Sequence, residues 1–131
     1  MDTGTLTAWS LVLSTTTPDA CQVCTLPSPG EVDSLSWNGA KNALNWGSAS
    51  DASYYYLYRG AGGDLPALMT PSVDSCTRGG TGGLTISGLG EAPAPGSLYW
   101  YLVRSSNSYG LGSAGSATYG PRIQNSGGAC P

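Results

Sequence analysis

Tyr54-Tyr55-Tyr56-Leu57-Tyr58-Arg59 is the most β-prone run in the chain. Rings and branched side chains pack well on a pleated surface, so four tyrosines and a leucine in succession read as a strand. Alternation sends Tyr55 and Leu57 to one side and Tyr54, Tyr56 and Tyr58 to the other. With the first pair inside, the strand is half-buried and belongs to a sheet that covers a core.

The neighbouring segments extend this pattern. Val32 to Trp37 reads as a strand with Leu35 and Trp37 on a common face, and Asn38-Gly39 supplies a turn. Ala43 to Trp46 follows, with Leu44 and Trp46 inward. Beyond Arg59 the stretch from Gly60 to Gly83 is loop-rich, with weak strand candidates at Leu65 to Met69. Leu84 to Ile86 is a short strand, Leu98 to Arg104 a long one, and Ser113 to Tyr119 the last. Helical periodicity is missing, because Gly, Pro and Ser/Thr clusters interrupt every candidate stretch. The expectation is an all-β, immunoglobulin-like sandwich of about seven strands in some 90 residues.

Residues 31–120 resemble a fibronectin type III domain of the bacterial secreted type. Leu44-Asn45-Trp46 resembles the family's second strand, and Tyr55-Tyr56-Leu57-Tyr58-Arg59 its third. Ile86-Ser87-Gly88-Leu89, then Pro95-Gly96-Ser97-Leu98-Tyr99, resembles the approach to the sixth. There Leu89 is buried and Tyr99 takes the place of the tyrosine corner. Tyr101, Val103, Ser105, Asn107 and Gly110 continue the spacing. The resemblance implies a core of Leu35, Trp37, Leu44, Trp46, Tyr55, Leu57, Leu89, Tyr99, Tyr101 and Val103. It also sets Tyr54, Tyr56, Tyr58 and Trp100 on an exposed aromatic face. Such a face suits subunit contact or carbohydrate stacking, while aromatics also favour strands for packing alone. The integrin-binding Arg-Gly-Asp of the family is absent, since Ala61 follows Arg59-Gly60.

Residues 1–13 form a separate unit. Asp2-Thr3-Gly4-Thr5-Leu6 with Trp9-Ser10-Leu11 resembles the last strand of a proprotein-convertase P domain, without the strands that would pair with it. Leu6, Trp9, Leu11 and Leu13 make it an apolar strand in need of a partner. It can dock against its own sandwich, or donate itself to a neighbouring copy and build a filament. Residues 14–30 are a Pro-rich linker, and 121–131 an irregular tail.

Four cysteines allow three pairings. Cys21 with Cys24 and Cys76 with Cys130 is the expected arrangement, the latter pair stapling the tail to the sandwich. Disulfides place the chain in an oxidising compartment. Only one cysteine pair is close in sequence, which disfavours a four-thiolate zinc site. Pro and Thr around Cys21-Gln22-Val23-Cys24 disfavour a redox motif.

Composition narrows function further. The 131 residues hold 5 Lys+Arg, 8 Asp+Glu and no His, a formal charge of −3. Without His there is no Ser-His-Asp triad and no imidazole metal site. Five basic residues give no footprint for a nucleic-acid backbone. No apolar run is long enough for a membrane helix. Met1-Asp2-Thr3-Gly4 lacks the features of a signal peptide, so a cytosolic chain or an excised piece of a secreted precursor is expected. The acids are scattered singly, although Asp64 and Asp74 could meet at an ion, and no carboxylate pair for glycoside hydrolysis is evident. Gly79-Gly80-Thr81-Gly82-Gly83 lacks the Lys and helix of a phosphate cradle and reads as a flexible loop.

The expectation is a secreted, non-enzymatic structural module without catalytic, cofactor or metal residues. It would assemble with copies of itself into fibres, through the N-terminal strand and the aromatic face. The alternative is an accessory adhesion or carbohydrate-binding module of a secreted protease or other hydrolase, with a glycan or cell-surface partner.

Overall fold

The structure, a computed structural model, describes residues 27–131. The expectations for Leu6, Trp9, Leu11, Leu13, Cys21 and Cys24 therefore lie outside the described residues. Among the described residues ten strands run in order: β1 Ser36–Trp37, β2 Ala43–Asn45, β3 Tyr54–Ala61, β4 Ser75–Thr81, β5 Thr85–Ser87, β6 Tyr99–Asn107, β7 Gly110–Leu111, β8 Ser116–Ala117, β9 Gly120–Pro121 and β10 Ser126–Ala129. A 3₁₀ helix, Gly62–Met69, follows β3. The strands form a three-stranded sheet β1-β2-β5, a five-stranded sheet β10-β4-β3-β6-β7, and the hairpin β8-β9. The architecture is all-β and coarsely that of a sandwich.

The Tyr-rich run is the middle strand of the larger sheet. β3 pairs antiparallel with β6 along its full length, from Tyr54 opposite Ser106 to Ala61 opposite Tyr99. On its other side it pairs antiparallel with β4. Tyr55 and Leu57 point into a core with Leu44, Trp46, Leu89 and Val103. Leu57 is wholly buried. Fully burying a side chain of this size stabilises by roughly 1.5–3 kcal/mol. Trp46 meets Tyr55 ring to ring at 5.8 Å. The Tyr55 hydroxyl accepts the Ala49 N–H at 3.0 Å, so a buried polar group finds a partner.

Elsewhere the elements differ from the sequence-based expectation. Leu65 to Met69 is not a strand but part of the 3₁₀ helix, with Pro66 inside it and Leu68 buried. The Asp64 carboxylate accepts the Ala61 N–H at 3.3 Å and holds the entry to that helix. The glycine-rich segment Gly79 to Thr81 is not a flexible loop but the end of β4. Its glycines admit close neighbours: a Cβ on Gly80 would lie 2.6 Å from the Tyr54 ring. The aromatic ring thus covers a bare strand backbone, which offsets the weak strand propensity of glycine.

Ser113 to Tyr119 is not one closing strand. β7 ends at Leu111, and the chain then turns through Gly115, whose φ of +86° favours glycine. It continues into the β8-β9 hairpin, in which Ala117 pairs with Gly120. The tail is not irregular either: β10 pairs parallel with β4. A disulfide joins Cys76 to Cys130 across 54 residues of sequence.

Candidate functional site

Three features of the described residues could carry function: a charged cluster at one end of the core, the outer aromatic surface, and an incomplete sheet edge.

The charged cluster is built by strand register. On β3 the inward side after Tyr55 and Leu57 is Arg59, which pairs with Tyr101 of β6. On β4 the register slips, with Thr77 opposite Tyr58 and Gly79 opposite Leu57. Arg78 is the extra residue of that bulge, and a bulge re-aims its side chain. Arg78 Nε and Nη2 donate to the two oxygens of Glu91, at 3.0 and 3.1 Å. The Tyr101 hydroxyl donates to the same carboxylate at 2.8 Å. Arg59 approaches it at 3.6 Å, and its guanidinium stacks 4.4 Å from the centre of the Tyr99 ring.

Burial alone would push the Glu91 carboxyl up. The hydrogen bonds from Arg78 and Tyr101 outweigh it and bring its pKa down to about 2. Burial, and then the bond to Glu91, push the Tyr101 hydroxyl up to about 12. The bond to Glu91 also raises Arg78. An ionised carboxylate engaged by two donors is poised to bind and hold rather than to move a proton at neutral pH.

Beside the cluster lies an open groove of about 350 Å³, lined by Arg59, Asp64, Val73, Asp74, Cys76 and Tyr99 among others. Asp64 and Asp74 share this groove, but each carboxylate has its own partners. Asp74 is buried, accepts the Asn125 N–H at 3.0 Å and the Ser75 hydroxyl at 2.7 Å, and so anchors the tail. Among the described residues no group of three or more acids, cysteines or histidines is placed to hold a metal ion. None of the described helices is long and apolar enough to cross a membrane.

The three tyrosine rings do lie in a row, with Tyr58 6.4 Å from Tyr56, but the row is not exposed along its length. Tyr54 is exposed, and its ring packs 5.2 Å from that of Tyr56. Tyr58, expected outside, is only 5% exposed. The chain after β7 turns onto this face. Arg104 Nε donates to the Gly112 carbonyl at 2.9 Å, and Arg104 Nη1 to Gln124 Oε1 at 3.2 Å. Gln124 Nε2 donates in turn to the Ser75 hydroxyl at 2.9 Å. Burial raises the Tyr58 hydroxyl and lowers Arg104. Trp100 is half-buried and lies over Gly60, where a Cβ would fall 2.1 Å from the ring. Its Nε1 donates to the Ala61 carbonyl at 2.8 Å, which fixes the ring. The surface is thus two aromatic spots, Tyr54 with Tyr56 and Trp100 apart.

Of the expected core residues, Leu44, Trp46, Tyr55, Leu57, Leu89 and Val103 are buried, and Tyr101 packs against them half-buried. Tyr99 is half-buried beneath Arg59. Leu35 and Trp37, expected inside, are 43% and 41% exposed. The Trp37 ring does reach Tyr101, edge-on at 5.4 Å. These two residues lie on β1 and just before it, an edge strand beside which the larger sheet is unfinished.

That unfinished edge is the third feature. β6 spans nine residues, but β7 pairs only with Ser106 and Asn107. The Gly112 N–H adds a bond to the Ser105 carbonyl at 2.8 Å before the chain departs. The Ser105 hydroxyl donates to the Gly30 carbonyl. From Tyr99 to Val103, β6 has a described strand on one side only. Neither this edge nor the Arg59–Arg78–Glu91–Tyr101 cluster was found by sequence reasoning. The early break at Gly112-Ser113-Ala114-Gly115 was the available signal for the edge. The cluster left none, because a bulge brought Arg78 inward. No protein family, no curated protein and no solved structure matches the chain.

Proposed function

We propose that this chain is a non-enzymatic extracellular structural module of the fibronectin type III kind that assembles with copies of itself by strand addition. The observation that carries the reading is the one-sided pairing of β6 from Tyr99 to Val103. An unpaired row of strand N–H and C=O groups is a template for another extended chain. The sheet orders β1-β2-β5 and β10-β4-β3-β6-β7 are compatible with that kind of sandwich. The Cys76–Cys130 disulfide supports an oxidising, extracellular setting. The engagement of Glu91 by Arg78 and Tyr101 supports a structural role for the main charged cluster.

Electron microscopy and light scattering of the purified full chain test this reading. Filaments or a concentration-dependent rise in mass are expected. A single monomeric species at all working concentrations refutes it.

A second reading, an accessory adhesion or carbohydrate-binding module of a secreted hydrolase, is favoured by Trp100. Its ring lies against Gly60, beside Ala61 of the open groove. Glycan retention by the chain, lost in Trp100→Ser, would support that reading.

A further inference from the structure

The inward side of β3 continues past the core. Tyr55 and Leu57 belong to the apolar cluster, and the next residues on that side are Arg59 and Ala61. Residues directly opposite on antiparallel strands share a face. Arg59 stands opposite Tyr101 on β6 and Cys76 on β4, and Ala61 stands opposite Tyr99. The facing sheet is short, two or three residues per strand against eight in β3. The inner face beyond Leu57 is left as the open groove of about 350 Å³. That volume is at the low end for a small-molecule site.

Arg59 lines this groove with its donors unused. Its side chain is only 11% exposed, and its ion pair to Glu91 is 3.6 Å long, beyond hydrogen-bond length. Glu91 already accepts two bonds from Arg78 and one from Tyr101. None of the Arg59 side-chain N–H groups has a hydrogen-bond acceptor among the described residues. That is costly for a guanidinium held mostly out of water. The Tyr99 ring, with its centre 4.4 Å away, restricts the orientation of the guanidinium. A restrained fork with free donors is a seat for a carboxylate, which takes two parallel N–H bonds.

The rest of the groove selects among carboxylates. Asp74 is buried with both oxygens bonded. Asp64 accepts the Ala61 N–H with one oxygen, and its other oxygen has no hydrogen bond among the described residues. Two acids on the groove disfavour a ligand with more than one negative charge, by like-charge repulsion. The spare Asp64 oxygen takes a donor, and a hydroxyl supplies one without adding charge. Val73 and Tyr99 add apolar wall for ring C–H groups. One carboxylate beside hydroxyls on a compact ring is a sugar acid.

We infer that this groove is a binding site for uronic acid residues, in which Arg59 holds the carboxylate and Asp64 accepts a ring hydroxyl. The inference deepens the carbohydrate-binding reading, on which it rests, by naming the sugar class and the residues that select it.

The test is calorimetry and ligand-observed saturation-transfer NMR on the oxidised full chain with D-glucuronate, with D-glucose and acetate as controls. The expected result is saturable glucuronate binding, about tenfold or more tighter than either control, since only glucuronate meets both Arg59 and Asp64. Arg59→Gln should weaken glucuronate by about tenfold or more and leave glucose unchanged. Glu91 keeps its bonds from Arg78 and Tyr101 in that variant. Val73→Trp, at a position 68% exposed, should block the groove while sparing the core. Glucose bound as tightly as glucuronate overturns the acidic class and leaves the carbohydrate reading standing. Acetate bound as tightly as glucuronate, or glucuronate affinity unmoved in both variants, overturns the site. No binding of either sugar overturns the inference, and glycan retention that depends on Trp100 then decides the wider reading alone.

Discussion

Replacing Glu91 with glutamine removes the charge that two arginines and a tyrosine share, and the structure sets the size of the effect. The carboxyl is lowered from 4.5 to about 2. A shift of that size corresponds to a ceiling of about 3.4 kcal/mol, at roughly 1.36 kcal/mol per unit. The Glu91 and Arg78 side chains retain 19% and 27% exposure, so solvent screens part of the interaction. A loss of about 1–2 kcal/mol at pH 7 is the expected result. Because the folded pKa lies below the unfolded value, the carboxylate stabilises fully above about 4.5. That contribution disappears as pH falls toward about 2. Urea unfolding of wild type and Glu91→Gln, measured from pH 7 down to pH 2, checks this. The gap between the two curves should close across that window. A gap equally wide at both ends, or no gap at pH 7, would show that the cluster does not hold the fold by charge.

Three other perturbations follow from the geometry. Replacing Cys76 and Cys130 together by serine opens a loop of 54 residues, and loop-closure entropy puts the cost at about 4 kcal/mol; an unchanged denaturation midpoint under non-reducing conditions would contradict the staple. Gly60→Ala drives a Cβ into the Trp100 ring, so a loss of about 1–3 kcal/mol is expected. A shifted Trp emission should accompany it as the Nε1 bond to Ala61 breaks, and a silent variant would mean the ring does not lie there. Ser105→Ala removes the wholly buried hydroxyl that donates to the half-buried Gly30 carbonyl, which should cost about 1–3 kcal/mol. Hydrogen exchange should then quicken around Gly30 and Gly112, and unchanged protection would argue against that tie.

The middle of the larger sheet was legible because its signal is local. Tyr55 and Leu57 face the core, and Leu44, Trp46, Leu89 and Val103 join them. Each lies in a run whose alternation exposes one side and buries the other. The long pairing of β3 with β6 follows from two extended runs of similar length.

The outlying parts were not legible, for two reasons. Glycines Gly79 and Gly80 carry no side-chain signal, and they lie in β4 because Tyr54 and β3 cover them. Tyr58 looked exposed because alternation places it opposite Leu57, and the sequence shows no sign of the segment that crosses over it. Leu35 and Trp37 looked internal for the same reason, but a sheet edge decides their exposure.

By itself the sequence determined an all-β chain, a tyrosine-rich central strand and most of the core, because hydrophobic alternation is read two residues at a time. Tertiary structure alone decided where the chain after Leu111 goes, how Arg78 reaches Glu91, and which part of β6 lacks a described neighbour. Those outcomes depend on contacts between residues far apart in sequence, and on a bulge and a turn whose effects appear only when the strands pair.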